Sequence, residues 1–120
     1  MPCELSYEED SGILTARVSG IVDKSLVQPM AAAMRAETEK HKCTRFLNDY
    51  RTAYIDLSTL DVFGMPKLIE SMGTDPRSRH AIVVKGMTAI VRFFETVTRN
   101  RGENVRVFTD MDKARAWLLS

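Results

Sequence analysis

The sequence predicts a single α/β domain over residues 1–120, with a five-stranded, mostly parallel sheet, an antiparallel hairpin at its N-terminal edge and about four helices. Three observations carry this. Short apolar runs of strand length alternate with longer stretches whose apolar residues recur at helical spacing. The first two runs are joined by a tight turn that leaves no room for a crossover helix. The 120 residues are close to the commonest single-domain length, and no linker, repeat or low-complexity segment divides them.

Leu5 to Glu8 and Ile13 to Ser19 read as strands around Glu9-Asp10-Ser11-Gly12, where the glycine supplies the positive φ of a tight turn. A helix is predicted from about Ser25 to Lys42. Ser25 and Gln28 have capping-box spacing, Pro29 points to a start close by, and Leu26, Val27, Met30, Ala33 and Met34 form the apolar arc. Thr44 to Asp49 is the third strand, centred on Phe46 and Leu47 and followed by a polar connection. Ser58 or Thr59 caps a short helical turn, which Gly64 and Pro66 interrupt. A second piece starts at Pro66, with Leu68, Ile69 and Met72 inward and Gly73 at its end.

Ala81 to Lys85 is a short apolar run, the mark of a strand covered on both faces. From Thr88 to Arg101, Ile90, Phe93, Phe94 and Val97 share a stripe opposite Arg92, Glu95, Thr96 and Arg99, and Gly102 stands where a C-cap glycine belongs. Val105 to Phe108 is the fifth strand, and Asp110 caps a last helix that buries Ala114, Trp117 and Leu118. The order is β-β-α-β-α-β-α-β-α, which implies parallel pairing through right-handed crossovers.

Composition narrows the function classes. A formal net charge of +1 gives no global field for nucleic acid or an anionic membrane. Apolar runs such as Ala81-Ile82-Val83-Val84 are far too short for stable membrane insertion. Glu4, Glu8, Glu9 and Asp10 make the N-terminus unlike a signal or transit peptide, and Cys3 and Cys43, without motif spacing, are expected as reduced thiols. A cytoplasmic location is the expectation. His41 and His80 have no ligand partner at metal spacing, no Ser-His-Asp or Cys-His set assembles, and no metal or cofactor is expected. Arg77, Arg79, Arg92, Arg99 and Arg101 read as a solvated face paired with Glu95 and Glu103, and without interleaved aromatics they do not read as a nucleic-acid surface.

The last third carries a resemblance. Arg92-Phe93-Phe94-Glu95-Thr96-Val97, Asn100-Arg101-Gly102, Val105-Arg106-Val107-Phe108, Asp110 and Ala114-Arg115-Ala116-Trp117-Leu118, together with Leu57-Ser58-Thr59-Leu60-Asp61, resemble the signature of a bacterial family of small, stand-alone STAS-like proteins with the SpoIIAA-like fold. The resemblance implies a sheet ordered along the sequence with its first strand antiparallel at one edge. It also implies a regulatory, non-enzymatic module that binds a protein partner or a second copy of itself. In STAS domains a serine at the start of the second helix, in Asp-Ser-Ser-Gly-Leu-Gly, is phosphorylated by a partner kinase. The nearest match here is Asp56-Leu57-Ser58, which agrees at the first and third positions and lacks the Gly-Leu-Gly. The same fold group includes lipid-binding CRAL-TRIO domains, which implies as an alternative a carrier of a lipid-like or small apolar ligand, held between the first two helices and the sheet.

The candidate site residues are Ser58, Thr59, Asp49, Lys85 and Asp110. Asp49, Lys85 and Asp110 fall at the carboxyl ends of predicted strands, where open parallel sheets bind ligands. A hydroxyl at a helix N-terminus, as on Ser58 or Thr59, suits a phospho-acceptor or an anion contact. A third reading gathers Asp49, Lys85 and Ser58 into a small enzyme site or a phospho-acceptor. The plainer reading makes Asp49 and Lys85 an ion pair and Asp110 and Ser58 simple caps. Met30, Met34, Met65 and Met72 read as core filling with the capacity to line an adaptable groove.

Overall fold

The computed structural model describes residues 3–71 and 75–120. Its strands are β1 (Cys3–Glu8), β2 (Ile13–Val22), β3 (Arg45–Ile55), β4 (Arg79–Val83) and β5 (Val105–Phe108). Its helices are α1 (Lys24–His41), α2 (Thr59–Phe63), α3 (Met65–Ser71), α4 (Ala89–Asn100) and α5 (Met111–Leu119). The sheet runs β1-β2-β3-β4-β5, antiparallel between β1 and β2 and parallel thereafter. The expected sheet order and antiparallel edge are therefore present. The break at Gly64 and Pro66 makes two helices of the β3–β4 crossover, for five among the described residues. The inward Met72 and the closing Gly73 of the sequence reading lie outside the described residues.

Alternation along each strand divides the core in two. Leu14, Ala16, Val18 and Val22 of β2 and Phe46 of β3 pack against Val27, Met30, Ala31 and Met34 of α1; beyond them Ile82, Val84 and Val105 pack against Val91 of α4. On the opposite face Ile13, Leu47, Ala81 and Val83 meet Ala114 and Leu118 of α5. All four residues from Ala81 to Val84 are buried, as a strand covered on both sides requires.

Three elements differ from the sequence expectation. The third strand does not end at Asp49; it runs on to Ile55. A register shift between Arg17 and Ser19 sets an extra β3 residue against β2, so the period-two pattern that marks a strand is interrupted there. Helix α1 is capped by Asp23 rather than Ser25. One carboxylate oxygen of Asp23 accepts from the backbone N–H of Ser25 (3.0 Å) and of Leu26 (3.2 Å), and from the Ser25 hydroxyl (2.6 Å). Pro29 therefore stands inside the helix, on its exposed side, and Ala31 rather than Ala33 faces the core. In α4 the fully buried positions are Val91 and Thr98, while Ile90, Phe93, Phe94 and Val97 are half-buried. Glu95, expected among the solvated residues, turns inward and accepts from the backbone N–H of Val107 at 2.7 Å.

Local signals are confirmed at the helix ends. Gly102 has φ +85°, its N–H donates to Arg99, and the N–H of Glu103 donates to Thr98, the paired bonds of a Schellman cap. Asp110 caps α5 by accepting from the N–H groups of Asp112 and Lys113.

Candidate functional site

The five candidate residues do not converge. Asp49 lies in mid-strand, level with Arg17 of β2 and Val83 of β4, and β3 runs on from Tyr50 to Ile55 for about 20 Å before the chain reaches Ser58. The Asp49 carboxylate, 5% exposed, takes a two-pronged contact from Arg51, Nε to Oδ1 at 3.0 Å and Nη2 to Oδ2 at 2.9 Å. The backbone N–H of Arg51 donates to it at 3.1 Å, and Arg17 Nε stands 4.0 Å away. The Arg51 contact holds the carboxyl below the usual carboxylate range against the opposing effect of burial. Lys85, on the exposed bend after β4, is not its partner, so the expected Asp49–Lys85 ion pair is replaced by a pair within β3 itself.

Glu4, Arg17 and Asp49 are in register across β1, β2 and β3. Next to them, Glu8 takes both terminal nitrogens of Arg115 on α5 at 2.9 and 3.0 Å, which lowers its pKa. These residues form an ionic strip on the sheet face that α5 leaves uncovered. Each acid in the pairs has an arginine, and among the described residues no cluster of His, Cys, Asp and Glu could hold a metal ion.

Ser58 is the N-cap of α2. Its Oγ accepts from the N–H of Asp61 at 3.1 Å, and Asp61 Oδ2 accepts from the N–H of Ser58 at 3.0 Å, a reciprocal capping box. The backbone bond from Ser58 pulls the Asp61 pKa down. Both Ser58 and Thr59 are exposed. The five-residue helix buries Val62 and leaves Leu60 82% and Phe63 59% exposed. Phe63 stands 6.3 Å, ring to ring, from Phe93 of α4. Between this surface and the start of α1 runs an open groove bordered by Lys24, Gln28, Leu60, Asp61, Met65 and Leu68.

A third feature lies beneath α2, where sequence reasoning had placed no polar residue. A cavity of about 110 Å³ sits between the sheet and helices α1 to α4. Its lining is apolar except for Asn48, Tyr50 and His80. By sequence His80 is a lone histidine with no ligand partner at metal spacing. In the fold it alternates with Ile82 and Val84 on the helix-covered face, and it stacks on Phe46 with ring centroids 4.7 Å apart. Burial drives its pKa from 6.5 down to about 4, which keeps the ring neutral. Asn48 Nδ2 donates to the Tyr50 hydroxyl at 3.2 Å, and burial pushes the Tyr50 pKa up to about 12. The signal that would have exposed His80 was its position two residues before Ile82, in a strand predicted to be buried on both faces.

With this geometry in hand, the chain has the SpoIIAA-like α/β fold. An anti-sigma factor antagonist from Mycobacterium paratuberculosis superposes with a TM-score of 0.67 at 13% identity, over 98% of this chain and 95% of its own. A protein of the DUF3478 family with a SpoIIAA-like fold, from Shewanella loihica, gives 0.61 at 19% identity, over 97% and 91%. The phosphorylated form of SpoIIAA, a Bacillus cell-fate determinant, gives 0.57 at 12% identity, over 96% and 98%. The sequence matches no protein-family model and no curated protein.

Proposed function

We propose that this chain is a non-enzymatic regulatory module that docks a protein partner on the α2 surface. The observation that carries the reading is the exposure of Leu60 and Phe63, at 82% and 59%, on a helix too short to need them for its own packing. An apolar anchor flanked by charged neighbours such as Lys24 and Asp61 is the anatomy of a small docking site. The structural neighbours described as anti-sigma factor antagonists support the same reading. The dispersal of Asp49, Lys85, Ser58 and Asp110 argues against the enzyme reading, since catalytic groups must meet at one reacting atom.

Ser58 and Thr59 are the phospho-acceptor candidates of this surface. A phosphate on Ser58 would stand beside the Asp61 carboxylate and break the capping box, so modification would reshape the docking site through charge repulsion. The test is a photo-crosslinker at position 63, in the native host, with and without Leu60→Asp. One dominant crosslinked product, lost with Leu60→Asp, is the expected result; an unchanged product overturns the reading. A crosslink to a second copy of the chain would identify a homodimer. Mass spectrometry of the same material reads the modification state of Ser58 and Thr59.

A further inference from the structure

The end of the sheet beyond α5 carries an inference independent of the α2 surface. Helix α5 packs on Ile13, Leu47, Ala81 and Val83, none of them past the level of Arg17 and Asp49. Beyond that level β2 and β3 run on as a ribbon two strands wide. Among the described residues β1 pairs only as far as Val18 and β4 only as far as Asp49. One side of the ribbon is covered, since Val22 is buried and Ala53 and Ile55 pack into the core that α1 closes. Alternation turns Ser19, Ile21, Thr52 and Tyr54 to the other side, and all four are exposed. Ile21 is 61% and Tyr54 69% exposed, although they are direct register partners, a β-branched and an aromatic side chain of the kind that stabilises sheets by packing.

The pattern of pairs indicates the occupant. On this side successive partners across β2 and β3 are Arg17 with Asp49, Ser19 with Thr52 and Ile21 with Tyr54. Each joins complementary chemistry: cation and anion, hydroxyl and hydroxyl, aliphatic and aromatic. Because the two strands are parallel, a two-fold axis running between them along the strand direction lays β2 of one copy over β3 of the other, level by level. Every residue then meets the chemistry that already stands beside it. Ile21 faces Tyr54 of the partner subunit, and Tyr54 faces Ile21 of the partner subunit, so both apolar side chains lose their exposure together. Glu4, Arg17, Asp49 and Arg51 at the foot of the ribbon sum to zero charge, so no net charge opposes the approach. Helix α5 keeps the rest of the two sheets apart and confines contact to the ribbon. A two-fold between β1 and β2 would match Glu4 with Arg17 but would give Ile21 no counterpart among the described residues.

We propose that this chain forms a weak, symmetric homodimer through the uncovered side of the β2–β3 ribbon, with Ile21 of each copy packed on Tyr54 of the partner subunit. The patch is far smaller than the roughly 1,600 Å² of a standard stable complex, so the dissociation constant is about 100 µM. Tyr54 and Arg51 are of the residue types that carry most binding energy in interfaces.

Sedimentation equilibrium of the full chain should fit a monomer–dimer equilibrium. Ile21→Lys or Tyr54→Glu alone should weaken it about a hundredfold, tenfold for each of the two equivalent contacts, and leave monomer up to about 1 mM. An equimolar mixture of the two variants should dimerise again. One contact of the mixed pair is unaltered, and the other sets the new ammonium against the new carboxylate. Both positions are exposed, so thermal unfolding of either variant as dilute monomer should match that of the unaltered chain. Amide NMR of the unaltered protein over a concentration series needs no variant: resonances from Ser19 to Val22 and from Thr52 to Ile55 should move, and those of α2 should stay. A chain monomeric up to about 1 mM, a single variant that dimerises as well as the unaltered chain, a mixture that stays monomeric, or shifts centred on another surface would each overturn the proposal. Leu60→Asp should leave dimerisation unchanged, which separates this face from the docking surface.

Discussion

The two faces of the sheet are built from the same strands and covered in opposite ways. Four helices cover one face, and the cavity beneath them is apolar except for Asn48, Tyr50 and His80. One helix, α5, covers the other, and the part it leaves bare carries Glu4, Glu8, Arg17, Asp49 and Arg51. Phe46 and Leu47 are adjacent in sequence, yet one belongs to each face. The first face is held by burial of apolar area, which charge screening does not weaken. The second adds paired charges at a solvent boundary, whose strength depends on screening.

That contrast can be broken at several points. Phe46→Ala removes the largest fully buried side chain and the ring on which His80 stacks, and should cost about 4 kcal/mol in denaturant unfolding. The next largest effect is pH. Unfolded His80 takes up a proton near pH 6.5, whereas folded His80 does so only near 4. Stability should therefore fall as pH drops through this window, by about 3 kcal/mol in full, and His80→Phe should flatten the slope. On the opposite face the sign of the carboxylate effect places it lower. Asp49 has a depressed pKa, so its contribution is present above the ordinary carboxylate value of 3.8 and is lost as pH falls through its folded value. A titration that showed one merged transition rather than two windows would contradict the division between faces.

Smaller effects sharpen it. Asp49→Asn strips the charge from a buried acceptor of two arginine contacts and should cost about 1–2 kcal/mol, measured by thermal unfolding. Glu8→Gln weakens a half-exposed pair with Arg115 and should cost about 0.5 kcal/mol, a difference that shrinks in 1 M salt. The Phe46 effect should not shrink in 1 M salt.

The sequence made the order of elements legible because the signals were local. Ser58, Gly102 and Asp110 each announce a helix end by side-chain chemistry that needs no tertiary partner. Where two local signals competed, the reading failed. Asp23 and Ser25 both suit an N-cap, and the carboxylate that reaches two backbone N–H groups and the Ser25 hydroxyl prevailed. The length of β3 was hidden by the register shift opposite Arg17 and Ser19, and this one misreading moved Asp49 from mid-strand to a strand end. Its supposed role at a ligand site followed from that. The cavity falls where the resemblance to lipid-binding domains implies a ligand, between the first helices and the sheet, but its size and lining were not legible, because they depend on which side chains from eight strands and helices fail to fill a space. Its polar lining, Asn48, Tyr50 and His80, is set by the depth to which the fold carries those residues.

The inward turn of Glu95 has a consequence for assembly. Val107 belongs to the outer strand of the sheet, and the Glu95 carboxylate occupies a backbone donor that a strand from another molecule would need. The β5 border is four residues long and partly plugged, while β1 at the far border offers six residues. The β5 edge is thus less open to a strand from another molecule than the β1 edge.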